Sequence, residues 1–418
     1  MLVMRLLRIR PLKVLLVSSL GVTIPLSAQA GGPVHGAKAT AMGTAFVALA
    51  DDPSAILHNP AGLVQIHGVN LYAGNTVVIP SSKYISLTGE DGETKSKLFF
   101  PPHVYLSTDL GTDNMALGIG VFSPFGIGGR FWESGSPTRY ISTKSTIATV
   151  AANPTMAWRI CPSLSVGFGL FYLHAFNTAE KKIDQSVFGW SEGTFSTEAD
   201  GGGWGYDFGL LFKPSESLSL GFAYRSHVKI DQHGHARLKN IAAPLQPLFG
   251  GSEYRTRVDT AVDFPELMTF GLAYKIRKDF TIVLEAEFGN WSRFDQQELD
   301  FENEVPSAGF RDIRVDLDWH DAWILKVGFQ YQTGELTYLR WGYCFGESPV
   351  PDKSLSPANP DSDQHNISVG FGKTMGRWNL DAFYNIGLFE KRKVHNQILS
   401  GAYENQTHYV GFSLDISF

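Results

Sequence analysis

From about Val69 to its last residue the chain alternates apolar and polar side chains with a period of two. The C-terminus shows the pattern best. Val410, Phe412, Leu414, Ile416 and Phe418 share one face, and Gly411, Ser413, Asp415 and Ser417 share the other. Such a period is that of a strand with two unlike faces. It recurs at Leu218, Leu220, Phe222 and Tyr224, at Met268, Phe270, Leu272 and Tyr274, at Phe280, Ile282, Leu284 and Phe288, and at Trp323, Leu325, Val327, Phe329 and Tyr331. In each strand the apolar face carries aromatic ends, and the other face mixes small and charged groups. No run beyond the first 30 residues reaches the ~18 apolar residues of a helical membrane span. Charged residues make up 18% of the chain, aromatics 13%, and there are 43 glycines. A secreted all-β protein or a soluble sandwich satisfies that composition equally well, so composition does not decide between them and a membrane barrel.

Strand number and loop length do. Counting alternating segments predicts about fourteen strands, beginning near residues 69, 98, 114, 146, 164, 204, 218, 266, 280, 320, 336, 365, 378 and 406. Tight connections, such as 161–163, 277–279 and 333–334, alternate with long ones at about 81–97, 124–145, 177–203, 231–265, 289–319, 346–364 and 389–405. Short turns at one rim and long loops at the other mark an outer-membrane barrel, and an even count returns both ends to the periplasmic side. Closure also satisfies every backbone amide in hydrocarbon. The expected fold is therefore an all-β membrane protein, a 14-stranded antiparallel transmembrane β-barrel over residues 68–418. A chain that stops on Phe418 at the end of an amphipathic strand also resembles the signal read by the barrel-assembly machinery, an expected partner. Outer-membrane lipid and lipopolysaccharide would surround a monomer.

Residues 1–30 read as a secretory signal peptide. Arg5, Arg8, Arg10 and Lys13 precede a short apolar core from Val14 to Leu26, and Ala28-Gln29-Ala30 supplies the cleavage site. Residues 31–67 differ from the rest. Gly36 to Ala50 is rich in small residues that suit tightly packed helix. Asp52-Pro53 then reads as a cap followed by proline at the first helical position, and the short helix 54–58 ends at Asn59-Pro60. This stretch is expected to form a small helical hatch plugging the lumen. The net charge of -6 offers no basic stripe for nucleic acid. Cys161 and Cys344 make no disulfide framework, and neither a cofactor nor a metal is implied.

Several segments resemble the outer-membrane transporters of long-chain fatty acids and aromatic hydrocarbons (FadL/TodX type). The first is Asp51-Asp52-Pro53-Ser54-Ala55-Ile56-Leu57-His58-Asn59-Pro60-Ala61-Gly62, similar to the family's hatch with its Asn-Pro-Ala turn. Others are Leu339-Arg340-Trp341-Gly342-Tyr343, Glu347-Ser348-Pro349-Val350-Pro351-Asp352, Asn359-Pro360-Asp361-Ser362-Asp363, Asn290-Trp291-Ser292-Arg293-Phe294 and Ala223-Tyr224-Arg225-Ser226. Each is weak alone, but they occur in the family's order along nearly the whole mature chain. The resemblance implies a hatch-plugged barrel through which a hydrophobic ligand passes passively. The ligand lands between outer loops, enters an internal pocket and leaves sideways, where the third strand kinks inward.

Carried onto this chain, the resemblance makes Asn59, Pro60 and Ala61 the hatch turn. It makes Gly118 and Gly120 candidates for the third-strand kink, ahead of Pro124, which removes a donor. Those glycines equally suit a wall crowded against a hatch. The apolar loop 124–132 suggests a ligand groove at Phe125, Ile127, Phe131 and Trp132, with Ile241 to Phe249 as a second candidate; packing between loops is the alternative for both. By strand parity Arg225, His227, Lys229, Lys326 and Arg340 face the lumen. Of these, Arg225, Lys229 and Arg340 are candidates for a carboxylate head group, while pairing with Asp207, Glu285 and Glu287 is the plainer reading. The resemblance places no pocket residue securely, since Arg314 stands one position from where a basic group is expected. The ligand is accordingly a fatty acid or an aromatic hydrocarbon. An aqueous porin would need a polar constriction and no hatch. An enzyme is not expected, since His174, His227 and the serines show no nucleophile–base spacing.

Overall fold

The computed structural model describes residues 34–418; the signal peptide expected over 1–30 lies outside them. The strand segments, all paired antiparallel, close into a barrel of 14 strands. In chain order these are β1 Val69–Ser86, β2 Pro102–Thr108, β3 Met115–Phe122 resuming at Ile127–Phe131, β4 Lys144–Cys161, β5 Leu164–Ile183, β6 Gly193–Phe212 and β7 Leu218–Arg225 resuming at Val228–Lys239. There follow β8 Glu253–Phe264 resuming at Leu267–Arg277, β9 Phe280–Gly289, β10 Ala322–Gly334, β11 Thr337–Gly346, β12 Gln364–Met375, β13 Trp378–Phe389 and β14 Gly401–Ser417. Closure runs β14 against β1 from Asn70↔Ser417 to Ser86↔Gly401. Every neighbouring pair is antiparallel, because short turns join consecutive strands at one rim.

The outward face carries the apolar half of the alternation. Leu106, Ile119, Phe168, Phe270, Leu325, Val369 and Phe412 are all exposed, as a lipid-facing band requires. Phe418 stays exposed while its amide bonds to Val69 O at 2.8 Å. No helix among the described residues is long and apolar enough to cross a membrane, so the crossing is made by strands.

Two long loops expected from the sequence are shorter than predicted. Within 177–203 and 231–265, β5–β8 continue outward as hairpins, leaving only 184–192 and 240–252 as connections. Outside the bilayer the outer face of a strand turns polar, as at Glu198, Asp200, Arg257 and Asp259. The oily half of the alternation vanishes there although the ladder continues. The stretch from Ile241 to Phe249 does not form an open groove. Ile241, Leu245 and Phe249 are buried with Phe195, Leu238, Phe301 and Phe310 in a core of their own between the outer segments.

Candidate functional site

Residues 34–66 lie inside the barrel, and the sequence explains how so much backbone fits there. The helix α1 (Ala37–Ala41) and the turn after it are built of small residues. The walls they meet carry glycine. A Cβ at Gly342 would stand 2.2 Å from Met42 C, and one at Gly221 would stand 2.3 Å from Val47 O. A second short helix, α2 (Ala55–His58), follows Asp52, whose Oδ1 accepts from the Ser54 amide at 2.9 Å. It stops at Asn59, and Pro60 opens a 3₁₀ turn through Gln65.

Asn59 is fully buried and spends every polar atom. Its Oδ1 accepts from Ala61 N at 3.1 Å. Its Nδ2 donates to Val47 O at 2.8 Å, within the N-terminal segment, and to Leu210 O at 2.9 Å, on β6. Asn59, Pro60 and Ala61 press against Gly167 and Gly209, where a Cβ would meet Pro60 C at 2.3 Å and Asn59 Oδ1 at 2.1 Å. One amide therefore folds the turn and docks it to the wall.

The lumen charges are paired by neighbouring strands. Lys326 on β10 sits 2.8 Å from both Glu285 and Glu287 on β9. Glu285 also accepts the amides of Phe46 and Val47 at 2.7 and 2.8 Å, tying the plug to the wall. Arg340 bonds Asp381 and, through Nε, Gln330 at 2.7 Å. Arg225 is 3.7 Å from Asp207 and donates to Leu57 O at 3.1 Å. Its guanidinium lies over the rings of Phe122 and Phe171, and its Nε has no acceptor.

Lys229 does not face the lumen, contrary to the parity expected of it. Between Arg225↔Asp207 and His233↔Asp200, β7 advances eight residues while β6 advances seven. The extra residue is a bulge at Ser226-His227, held by Ser226 N to Tyr206 O and Tyr206 N to Ser226 Oγ, both 2.9 Å. A one-residue slip turns every later side chain to the other face. Val228 and Ile230 are therefore buried, and His227 and Lys229 exposed.

The third strand does break, but not at the glycines singled out for it. Gly118 and Gly120 stay in register with both neighbours, opposite Thr155 and Asn153 on β4. Their missing side chains admit Ile56, whose Cδ1 would lie 2.8 Å from a Cβ on Gly118. The ladder fails after Phe122. From Phe122↔Ala151 to Ile127↔Ala148, β3 advances five residues and β4 only three. Ser123–Gly126 close a turn, Gly126 N to Ser123 O at 3.0 Å, and Thr149 bonds Gly126 O at 3.0 Å. Ser123 O is held by the side chain of His35 at 2.7 Å.

The four proposed groove residues divide between two faces. Phe125 turns inward and stacks on Phe264 with ring centroids 4.4 Å apart. Trp132 is buried, its Nε1 donating to Pro357 O at 2.9 Å. Ile127 and Phe131 pair with Ala148 and Lys144, on the face of β4 opposite its buried Ile147, Thr149 and Ala151. They form no single surface. Inside, Phe122, Phe171, Phe264, Trp291, Phe294 and Trp319 belong to one continuous apolar cluster packed against Phe125.

Sequence reading missed His35, His103 and Ser123, which the fold brings together, because single residues 68 and 20 positions apart carry no spacing signal. The only available cue was Pro124 inside a strand-like run.

The fold has known counterparts. The model of the outer membrane protein transport protein family (OMPP1/FadL/TodX) matches residues 22–418. The chain belongs to the FadL/TodX family. Among its FadL/TodX relatives is the long-chain fatty acid transport protein of Escherichia coli K12, 23% identical over 401 residues, covering 85% of this chain and 86% of that one. A FadL homologue of Pseudomonas aeruginosa shares the fold with a TM-score of 0.82 at 16% identity, over 93% of this chain and 100% of that one. The Pseudomonas putida toluene transporter TodX gives 0.76 at 17%, over 92% and 98%. As a FadL/TodX member the protein is an outer-membrane transport protein.

Proposed function

We propose that the barrel takes up hydrophobic compounds passively from outside and releases them sideways into the bilayer at the β3 break. The observation that carries this reading is the interrupted ladder at Ser123–Gly126. It is the place where the apolar interior, the inner plug and the lipid-facing wall meet. The plug obstructs the axis, and a sideways exit spares an oily cargo the ~0.8 kcal/mol per CH₂ of entering water.

A long-chain fatty acid is the favoured cargo. Two inward guanidiniums, Arg130 and Arg225, each have an Nε without an acceptor, and a carboxylate would supply one. Arg340, by contrast, is occupied by Asp381, and Lys229 lies outside. The relatives' names point both ways, to long-chain fatty acids and to toluene. An aromatic hydrocarbon is the second reading, favoured by the ring-lined interior around Phe122, Phe171 and Phe264. Uptake of labelled fatty acid and of toluene into liposomes holding the purified barrel separates them. Arg130→Gln with Arg225→Gln should lower fatty-acid uptake and spare toluene. Uptake of small sugars without either compound would overturn the proposal in favour of an aqueous porin.

A further inference from the structure

The three residues that the sequence did not connect form a chain of hydrogen bonds whose direction can be worked out. Ala37 N donates to Ser413 Oγ at 3.0 Å. Ser413 Oγ is 3.2 Å from His103 Nε2, and Gly36 N donates to that same nitrogen at 3.3 Å. A backbone amide can only donate, so His103 Nε2 is the acceptor and its proton sits on Nδ1. His103 Nδ1 faces His35 Nδ1 at 3.3 Å. With His103 donating there, His35 Nδ1 accepts, and the His35 proton is forced onto Nε2. That is the atom 2.7 Å from Ser123 O. Ser123 N also points at that nitrogen from 3.1 Å and competes for it. The carbonyl is the nearer at 2.7 Å, and only a proton on Nε2 leaves His35 Nδ1 free to accept from His103. The carbonyl contact is therefore the one made, and the amide contact is given up. These five links, the Ser123 amide contact apart, fit one tautomer for each ring with both rings neutral.

We propose that His103 is the positioning residue of the lateral gate: it sets the tautomer of His35, which holds the Ser123 carbonyl and keeps the β3 break docked on the plug. The role rests on the sideways-exit reading, and it adds a proton dependence to it. Two neutral imidazoles can meet nitrogen to nitrogen because one donates and one accepts. A proton added to His35 Nδ1 sets two donors against each other, and His103 cannot turn acceptor there while Gly36 N occupies its other nitrogen. Burial holds His35 far below an ordinary imidazole, to about 4. The groups facing this pair are His58, whose Nε2 is 3.0 Å from His35 O, Tyr72 on β1, Tyr105 on β2 and Arg225 on β7, with Asp52 of the plug acting on the two tyrosines behind them. The nearby guanidinium further opposes a proton on the pair, so the relay stays neutral until the medium is distinctly acidic.

The test is hydrogen exchange of the full-length barrel in detergent, read on the peptide spanning Ser123–Gly126 and corrected for the intrinsic pH dependence of exchange. His103→Leu should speed exchange there roughly tenfold or more at pH 7.5 and leave β9–β11 unchanged. His103→Gln should behave as wild type at pH 7.5. Its amide can present either donor or acceptor to His35, so it should also lose much of the acid response expected of the wild type near pH 4. If the leucine variant misassembles, the acid response of wild type against the glutamine variant decides alone. Equal exchange in wild type and both variants at both pH values would overturn the relay. Loosening of the break with hydrophobic uptake unchanged would leave the relay standing and overturn the sideways exit instead.

Discussion

Asn59→Asp changes one atom and should undock the plug turn without harming the barrel. The native amide donates to Val47 O and Leu210 O and accepts from Ala61 N. Aspartate keeps the acceptor for Ala61 and loses both donors. Two buried carbonyls then face a carboxylate with nothing to offer them. Losing the bond to Val47 O costs about 1–3 kcal/mol and losing the one to Leu210 O, which keeps its place in the sheet, about 1 kcal/mol, so the docked turn loses about 2–4 kcal/mol. A proton taken up by the new carboxyl restores one donor and returns about half of that. Leu210 keeps its register opposite Val166 and Phe222 without Asn59, so the loss falls on docking rather than on strand pairing. A penalty of about 3 kcal/mol raises the undocked population roughly a hundredfold. Hydrogen exchange of residues 45–65 reads this directly, with 204–212 on the wall as internal control. The variant should exchange far faster in the first peptide, remain unchanged in the second, and be partly rescued at acid pH. Exchange of 45–65 within twofold of wild type would refute the claim that this side chain docks the turn.

Other outcomes follow from the same structure. Lys326→Met leaves Glu285 and Glu287 as uncompensated buried carboxylates. It should lower the barrel's melting point in detergent by an amount matching about 3–5 kcal/mol, whereas Lys326→Met with Glu287→Gln and Glu285→Gln should recover much of it. Lys229→Glu, on the outside of the bulged β7, should leave fatty-acid uptake by liposomes unchanged; a clear loss would mean that the residue does reach the cargo. Asp52 is buried, which pushes its carboxyl up to about 7, and its Oδ2 has no partner. A raised carboxyl stabilises docking below its unfolded value and loses that contribution as pH rises through about 7, by on the order of 4 kcal/mol at most. Asp52→Asn should therefore flatten the rise in exchange of residues 50–58 between pH 4 and pH 8.

Much of this protein is legible in its sequence alone. Period-two alternation, read with loop lengths, located the strands within a few residues, because a lipid-facing strand must be oily on one side along its membrane depth. It failed where that pressure ends, as at 193–203 and 253–264, where strands continue into water with polar outer faces. The Asn59-Pro60-Ala61 turn was legible because proline and an amide acceptor act locally. Lys229 was misplaced because a bulge at Ser226-His227 is one residue long and carries no hydrophobic signal of its own.

What the sequence determined by itself is thus the barrel: its two faces, its alternating rims and the compact small-residue segment ahead of it, all consequences of local periodicity and chain stiffness. What only the tertiary structure decided is which residues meet inside. The break at Ser123–Gly126 arises from a mismatch of register between β3 and β4, a property of two strands rather than one. Glu285 was assigned to the plug amides, and His35 to His103 and Ser123, by closure of the sheet around a segment distant in sequence. Distances in space between lumen side chains depend on strand stagger around the whole barrel, and no periodicity along one strand contains that information.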